Sequence, residues 1–292
     1  MKPITILLFG KNGQVGWELQ RSLAPLGDLI ALDFDSQEFC GDFTNLGGLA
    51  KSIRDVAPDV IVNAAAHTAV DKAESEPELA CTINALAPGV LAQEAERLGA
   101  WLVHYSTDYV FDGGGDRPWL EVDMTDPLSV YGKTKLAGEE AIRSAACRHL
   151  ILRTSWVYAA RGGNFAKTML KLAQERDSLK VIDDQVGAPT GADLLADVTA
   201  HAIRTAMQRP EVAGLYHLTA GGQTSWHAYA SFVIDCARQA GVEIKVSPDA
   251  IQAVPTSAFP TVAKRPMNSR LDTTRFQLSL IHISEPTRLG MI

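Results

Sequence analysis

A chain of 292 residues with 46% hydrophobic and 21% charged side chains lies in the ordinary globular range, which excludes a disordered chain and a coiled coil. The formal net charge of −7 leaves no basic footprint for nucleic acid and no polybasic patch for a membrane, so an anionic ligand must be held by local groups. The 4 cysteines, Cys40, Cys81, Cys147 and Cys236, are far apart and form no CxxC pair, and are expected to be buried free thiols of a reducing, cytoplasmic compartment.

The apolar run Ile4 to Phe9 is too short to span a membrane and reads as a buried first strand. It runs into Gly10-Lys11-Asn12-Gly13-Gln14-Val15-Gly16, a GxxGxxG loop that opens a helix over Val15 to Leu26. Such a loop lets backbone approach a pyrophosphate whose charge meets the helix N-terminus. Alone it is a common turn. Its place between strand and helix, and Asp33 at the end of a second strand (Leu29 to Asp33), where an acid can hold ribose hydroxyls, point to a dinucleotide. Asp33 repels a 2′-phosphate and so favours NADH, while NADPH stays open. Asp42 and Phe43 follow as residues flanking the adenine.

A helix over Leu46 to Val56 leads to a third strand, Val60 to Asn63. Ala64, Ala65, Ala66 and His67 then line the expected cofactor path, although a lone histidine is more often a packing residue. A helix over Leu79 to Leu98 precedes the fourth strand, Leu102 to Ser106, whose lip presents Ser106, Thr107 and Asp108. Tyr131-Gly132-Lys133-Thr134-Lys135 begins the next helix, which reaches Ala145. Its four-residue spacing puts Tyr131 and Lys135 on one face. Lys135 is expected to lower the phenol pKa, Tyr131 to deliver a proton, and Thr107 to hydrogen-bond the reacting oxygen. A fifth strand follows at Leu150 to Arg153.

Continuous apolar strands alternating with helices predict an α/β, Rossmann-like doubly wound parallel sheet, with a smaller C-terminal substrate-binding lobe. The dinucleotide-binding domain is expected over 1–155, with a later strand and helix near 190–220, including a strand near Leu215 to Leu218. Residues 156–277 are expected to form mainly the substrate lobe.

The residues resemble the extended short-chain dehydrogenase/reductase superfamily from about Ile6 to Phe276. The most telling stretches are Leu8-Phe9-Gly10, Val62 to Asp71, Tyr105 to Phe111, Arg153 to Tyr158 and Arg265 to Leu271. Within the superfamily the chain is similar to reductases of dTDP-linked 4-keto sugars. That resemblance implies reduction of dTDP-4-dehydro-L-rhamnose to dTDP-L-rhamnose, a donor for cell-surface polysaccharide, with NADPH or NADH. It also implies that Gly10, Gly13, Gln14, Val15, Gly16, Asp33, Asp42, Phe43, Ala66, His67, Thr68, Tyr105, Tyr131 and Lys135 border the dinucleotide. Thr107, Asp108 and Trp156 would meet the sugar, and Arg265 and Arg270 the diphosphate. Glu18 matches an acid of a magnesium-bridged homodimer seen in the family, Asp193 stands where a glutamate is expected, and a further C-terminal acid has no counterpart.

Two rival readings stay open: a non-catalytic binding relative, which need not keep Tyr131, Lys135 and Thr107, and an epimerase or dehydratase, which returns its hydride and consumes no added cofactor. After Gln277 the sequence departs from the family. Residues 278–292, LSLIHISEPTRLGMI, resemble the translation of a sequencing-library adapter and are expected to be a non-native tail.

Overall fold

The computed structural model describes residues 3–280. Its strands are β1 (Ile4–Phe9), β2 (Gly27–Leu32), β3 (Val60–Asn63), β4 (Trp101–Thr107), β5 (Arg148–Thr154), β6 (Val157–Tyr158), β7 (Leu179–Ile182), β8 (Val186–Gly187), β9 (Thr190–Gly191), β10 (Gly214–His217), β11 (Thr224–Ser225) and β12 (Ile251–Val254). Its helices are α1 (Gln14–Leu23), α2 (Leu46–Val56), α3 (Val70–Ser75), α4 (Pro77–Cys81), α5 (Ala87–Leu98), α6 (Val130–Ser144), α7 (Phe165–Glu175), α8 (Ala192–Gln208), α9 (Trp226–Gln239) and α10 (Thr274–Ser279).

Six strands form one parallel sheet in the order β2-β1-β3-β4-β5-β10. Successive side chains of a strand point to opposite faces, and here both faces are covered. Ile6 and Leu8 join Leu19 of α1 and Leu195 of α8 in one core cluster, while Leu7 and Phe9 join Leu49 of α2 and Leu91 of α5 in another. Each fully buried Leu or Ile contributes about 1.5–3 kcal/mol. The strand expected near Leu215 to Leu218 is β10, laid along β5 at the sheet edge. The chain turns from β2 back across β1 to reach β3, so the carboxyl ends of β1 and β3 flank the point where strand order reverses, the place where open α/β sheets bind ligands.

The helix expected over Leu79 to Leu98 is divided: α4 passes into α5 through a π-helical turn at Thr82–Leu86. Such a turn adds a residue to the helical repeat and often marks a functional site. After β5, three two-stranded sheets (β6 with β9, β7 with β12, β8 with β11) combine with α7 and α9 around a small core of Leu179, Val181, Ala230 and Ile234.

The cysteines are all free, but only Cys147 is buried; Cys236 is exposed on the outer face of α9, so the sequence reading of four buried thiols is corrected. No helix among the described residues is long and apolar enough to cross a membrane. Of the expected non-native segment, Leu278 and Ser279 complete α10, and Leu280 is buried beside Phe276 and Tyr216. Residues 281–292 lie outside the described residues.

Candidate functional site

The glycine loop folds as its sequence requires. Gly10 has φ +85, and a Cβ there would lie 2.7 Å from the Ala65 nitrogen. A Cβ on Gly16 would lie 1.9 Å from the Gly10 carbonyl oxygen, so no larger residue closes this turn. Gly13 caps α1, with the helix N-terminus behind it and Gln14 and Val15 in the first turn. Backbone N–H groups at such an end are an anion site. Gln14 Oε1 also accepts from Asn164 Nδ2 at 3.0 Å, tying the loop to the start of α7.

The acid after β2 is braced differently from the sequence reading. Asp33 Oδ2 accepts from the Asn12 N–H at 2.9 Å and Oδ1 from the Phe34 N–H at 2.8 Å. The carboxylate therefore fastens the glycine loop, and only its remaining lone pairs face outward. Asp42 Oδ1 takes the Thr44 N–H and hydroxyl at 2.8 and 2.7 Å. Phe43 is buried edge-on against Phe9 in the core, so its ring is spent on packing and only its backbone remains to flank an adenine.

Beyond β3, Ala64, Ala65, Ala66, His67 and Thr68 form a loop beside the glycine turn. Asn84 in the π-helical turn pins it: Asn84 Oδ1 accepts from the His67 N–H at 2.9 Å, and Nδ2 donates to the His67 carbonyl at 3.1 Å and to Thr134 Oγ1 at 3.2 Å. The sequence reading missed Asn84. Its signal is a polar residue at a core position of an otherwise helical apolar pattern.

Helix α6 starts at Ser129, whose hydroxyl accepts from the Gly132 N–H at 3.2 Å. Gly132 is needed because a Cβ there would lie 2.2 Å from the Tyr109 carbonyl oxygen. That close approach brings Tyr131 against the lip of β4, where its ring meets Tyr109 edge-on at 5.4 Å. Thr107 caps the turn after β4 by accepting from the Tyr109 N–H at 3.2 Å, with its hydroxyl beside the Tyr131 phenol. Burial pushes the Tyr131 phenol up to about 12, against the lowering effect of Thr107, with the Asp108 charge adding to the rise.

Lys135 is buried one turn later, with Nζ donating to the Tyr105 carbonyl at 2.6 Å and facing His104 Nε2 at 3.3 Å. Burial lowers its ammonium to about 8, with the Glu139 charge opposing. Among the groups that act on the Tyr131 phenol, Thr107 is the one that favours its ionisation, against burial and the Asp108 charge. Below them Glu139 and Arg153 form a fully buried, two-bonded ion pair at 2.7 and 2.9 Å, with Ser106 donating to the same carboxylate. The Tyr105 side chain points to the other face of the sheet and bonds Thr199 Oγ1 at 2.6 Å, so Tyr105 offers this site its carbonyl, not its ring.

Asp108 is buried, its Oδ1 accepting from the Thr107 hydroxyl at 3.2 Å, and burial raises its carboxyl to about 6 against the lowering effect of Ser269 and Thr107. Its Oδ2 finds no partner among the described residues. Next to this group opens a cavity of about 680 Å³ walled by Tyr109, Trp156, Trp226, Arg265 and Ser269, with Arg176 at its far side. Trp156 takes the left-handed backbone (φ +49) and stacks on Trp226 with ring centroids 3.5 Å apart. A non-glycine residue held there costs about 1–2 kcal/mol and persists where surrounding structure enforces it. Trp226 and Ser269 were not singled out in the sequence.

Arg265 lines the cavity but spends its guanidinium on Asp71, at 2.6 and 3.2 Å, and Arg270 bonds Asn268 Oδ1 and Gln223 Oε1. Arg265 is thus neutralised by a carboxylate, whereas the partners of Arg270 are neutral amides that leave its charge in place. Glu18 lies 3.7 Å from Arg21, Asp193 sits exposed in the first turn of α8, and no group of three or more metal-ligating residues exists among the described residues. Magnesium takes octahedral oxygen ligation. Among the described residues of a single chain Glu18 and Asp193 gather no such set, and a set shared between two copies would draw ligands from both.

The same fold recurs in known proteins. The family model for the RmlD substrate binding domain matches residues 4–290. The dTDP-4-dehydrorhamnose reductase of Salmonella typhimurium is 64% identical over 288 residues, covering 99% of this chain and 96% of that protein. The Escherichia coli K12 protein of the same name is 60% identical with the same coverage. Among solved structures, a dTDP-4-dehydrorhamnose reductase of Bacillus anthracis in complex with NADP matches with TM-score 0.83 and 32% identity, covering 95% of this chain and 93% of that one. The corresponding Clostridium acetobutylicum structure matches with TM-score 0.83 and 39% identity, covering 94% and 92%. With glycine loop, β4 lip and α6 pair in one doubly wound sheet, and with a family match along nearly its whole length, this chain belongs to the RmlD substrate binding domain family.

Proposed function

We propose that this chain reduces the 4-keto group of dTDP-4-dehydro-L-rhamnose to dTDP-L-rhamnose, using NADPH or NADH. The observation that carries the reading is that Thr107, Tyr131 and Lys135 lie together at the carboxyl end of β4, with Lys135 Nζ on the Tyr105 carbonyl and Tyr109, two residues past Thr107, in the wall of the cavity. When bound, the nicotinamide supplies the hydride. The N–H groups at the start of α1 hold the pyrophosphate, and Lys135, anchored on the Tyr105 carbonyl, holds the ribose.

Tyr131 acts as the acid. A phenol pushed up to about 12 remains protonated at neutrality, yet it is still a stronger acid than the sugar alcohol that forms, so its proton passes to the oxygen at C4. The Thr107 hydroxyl bonds that same oxygen and, as the charge moves, stabilises the phenolate left behind. Asp108 presents its unpartnered Oδ2 to a sugar hydroxyl, Trp156 forms the wall against which the ring packs, and the nucleotide occupies the apolar cavity, with Arg176 and Lys180 near its phosphates. The reading takes the region after β5 as the substrate lobe and the sheet as the cofactor domain.

The test is absorbance loss of added NADPH or NADH with and without the 4-keto sugar. Net consumption only when the sugar is present is expected, and it separates a reductase from an epimerase, a dehydratase or a binding relative. Tyr131→Phe keeps the ring and removes the proton, so turnover should fall about 10²–10⁴-fold with cofactor binding intact. Absence of consumption by the parent chain, or full turnover in the variant, overturns the assignment.

A further inference from the structure

His104 lies on β4, fully buried, between Asn63 of β3 and Lys135 of α6. Its tautomer is fixed by a chain of hydrogen bonds that begins in the backbone. The Ala65 N–H donates to Asn63 Oδ1 at 3.0 Å, which sets the orientation of that amide and leaves Nδ2 facing His104 Nδ1 at 2.9 Å. An amide nitrogen only donates, so Nδ1 must accept. Burial holds the imidazole well below its ordinary 6.5 and hence neutral, so its one proton sits on Nε2.

That Nε2–H points at Lys135 Nζ from 3.3 Å. An ammonium carries three hydrogens and no lone pair, and two donors facing each other repel. A neutral amine resolves the conflict: it accepts from His104 and donates to the Tyr105 carbonyl at 2.6 Å. We propose that His104 is a positioning residue for the reduction, orienting the Lys135 amine by its Nε2–H and favouring the uncharged form of that amine. The inference rests on the role given to Lys135 above.

The other groups around Lys135 do not produce this bias. Glu139, one turn further along α6, favours the ammonium, but its carboxylate is spent on Arg153 from β5 and on Ser106 from β4. Tyr131 shares the helix face, Asp108 acts on Tyr131 from the turn after β4, and Asn84 in the π-helical turn is uncharged. Burial is what lowers Lys135 to about 8, and the His104 Nε2–H, facing Nζ at 3.3 Å, is the neighbouring contact that works in the same direction. A lysine that titrates there changes charge near the working pH without leaving its place.

Two measurements test the proposal, one of which needs no turnover. In the chain selectively labelled at histidine nitrogen, the long-range ¹H–¹⁵N spectrum of the His104 ring, assigned by its loss in His104→Asn, should show the neutral Nε2–H tautomer from pH 8.5 to 10, where the Lys135 amine is uncharged. An Nδ1–H ring or an imidazolium in that range overturns the proposal even if the reductase reading stands. His104→Asn keeps an acceptor near Asn63 but places nothing against Lys135. The Lys135 side-chain resonance, assigned by its loss in Lys135→Met, should then titrate about one pH unit higher than in the parent chain, and the matching limb of the kcat profile should move with it. A variant with lowered kcat but an unmoved midpoint in both readouts marks a packing role and overturns the proposal.

Discussion

Replacing Lys135 by Met tests the electrostatics of the site through stability, independently of turnover. Burial lowers this amine from its ordinary 10.5 to about 8, and every tenfold loss of proton affinity corresponds to about 1.4 kcal/mol. Between those two values the unfolded chain binds a proton that the folded chain does not, so wild-type stability rises with pH across that window. Below it the folded state carries the full penalty of holding a buried ammonium, about 3 kcal/mol. Methionine has a similar length and no charge, so it removes the penalty, but it also leaves the Tyr105 carbonyl without its donor, which costs about 1–3 kcal/mol. The variant should therefore be as stable as the parent or slightly more so at pH 7, and less stable above pH 10.5. Urea unfolding at both pH values isolates the effect, because every other titrating group is common to both proteins. The stability difference should change by about 3 kcal/mol between the two conditions. A difference that is the same at both would refute a depressed, buried amine at this position.

Gly16→Ala should abolish cofactor binding or the fold around it, since the added carbon would lie 1.9 Å from the Gly10 carbonyl oxygen. A titration of NADPH fluorescence with less than tenfold weakening would contradict that geometry. Glu139→Gln breaks a fully buried ion pair and should cost about 3–5 kcal/mol in denaturant unfolding; a cost below about 1 kcal/mol would mean the pair is solvated. Asp108→Asn acts with the opposite pH sense to Lys135→Met. A carboxyl raised from 3.8 to about 6 contributes stability below the lower value and loses it as pH rises through the upper. The variant should thus gain on the parent by up to about 3 kcal/mol at pH 7 and lose that advantage by pH 4. Thermal unfolding across that range decides it, and an advantage that persists at pH 4 would refute the buried acid.

The sheet was legible in the sequence because its strands are buried on both faces and read as unbroken apolar runs. The glycine loop was legible because its turn admits no side chain, and the α6 pair because helical spacing alone aligns Tyr131 with Lys135. What the sequence did not carry is side-chain direction across the sheet. Tyr105 and Thr107 share one face of β4 by alternation, yet the Tyr105 ring is taken up by Thr199 of α8, while Thr107, at the strand's lip, turns toward Tyr131. Asn84, His104 and Ser269 escaped for a related reason. Each acquires its role from a partner 17 to 161 positions away, as in the Asn84 bond to His67 and the effect of Ser269 on the Asp108 carboxyl, and no local period marks such a partner. Position alone marked Asp33 and Phe43, but not that backbone donors brace the Asp33 carboxylate or that the Phe43 ring packs on Phe9.

The burial of Glu139 and Arg153 also bears on ionic strength. Counter-ions screen exposed charges within about 8–10 Å at ordinary salt but do not enter a packed interior. Surface pairs such as Arg21 with Asp197 and Lys51 with Asp55 weaken as salt rises, whereas the pair beneath the site keeps its attraction. The platform that carries Ser106, Lys135 and the β4 lip is thereby insulated from the medium. Salt should accordingly tune how an anionic nucleotide reaches the protein while leaving the alignment of the reacting groups untouched.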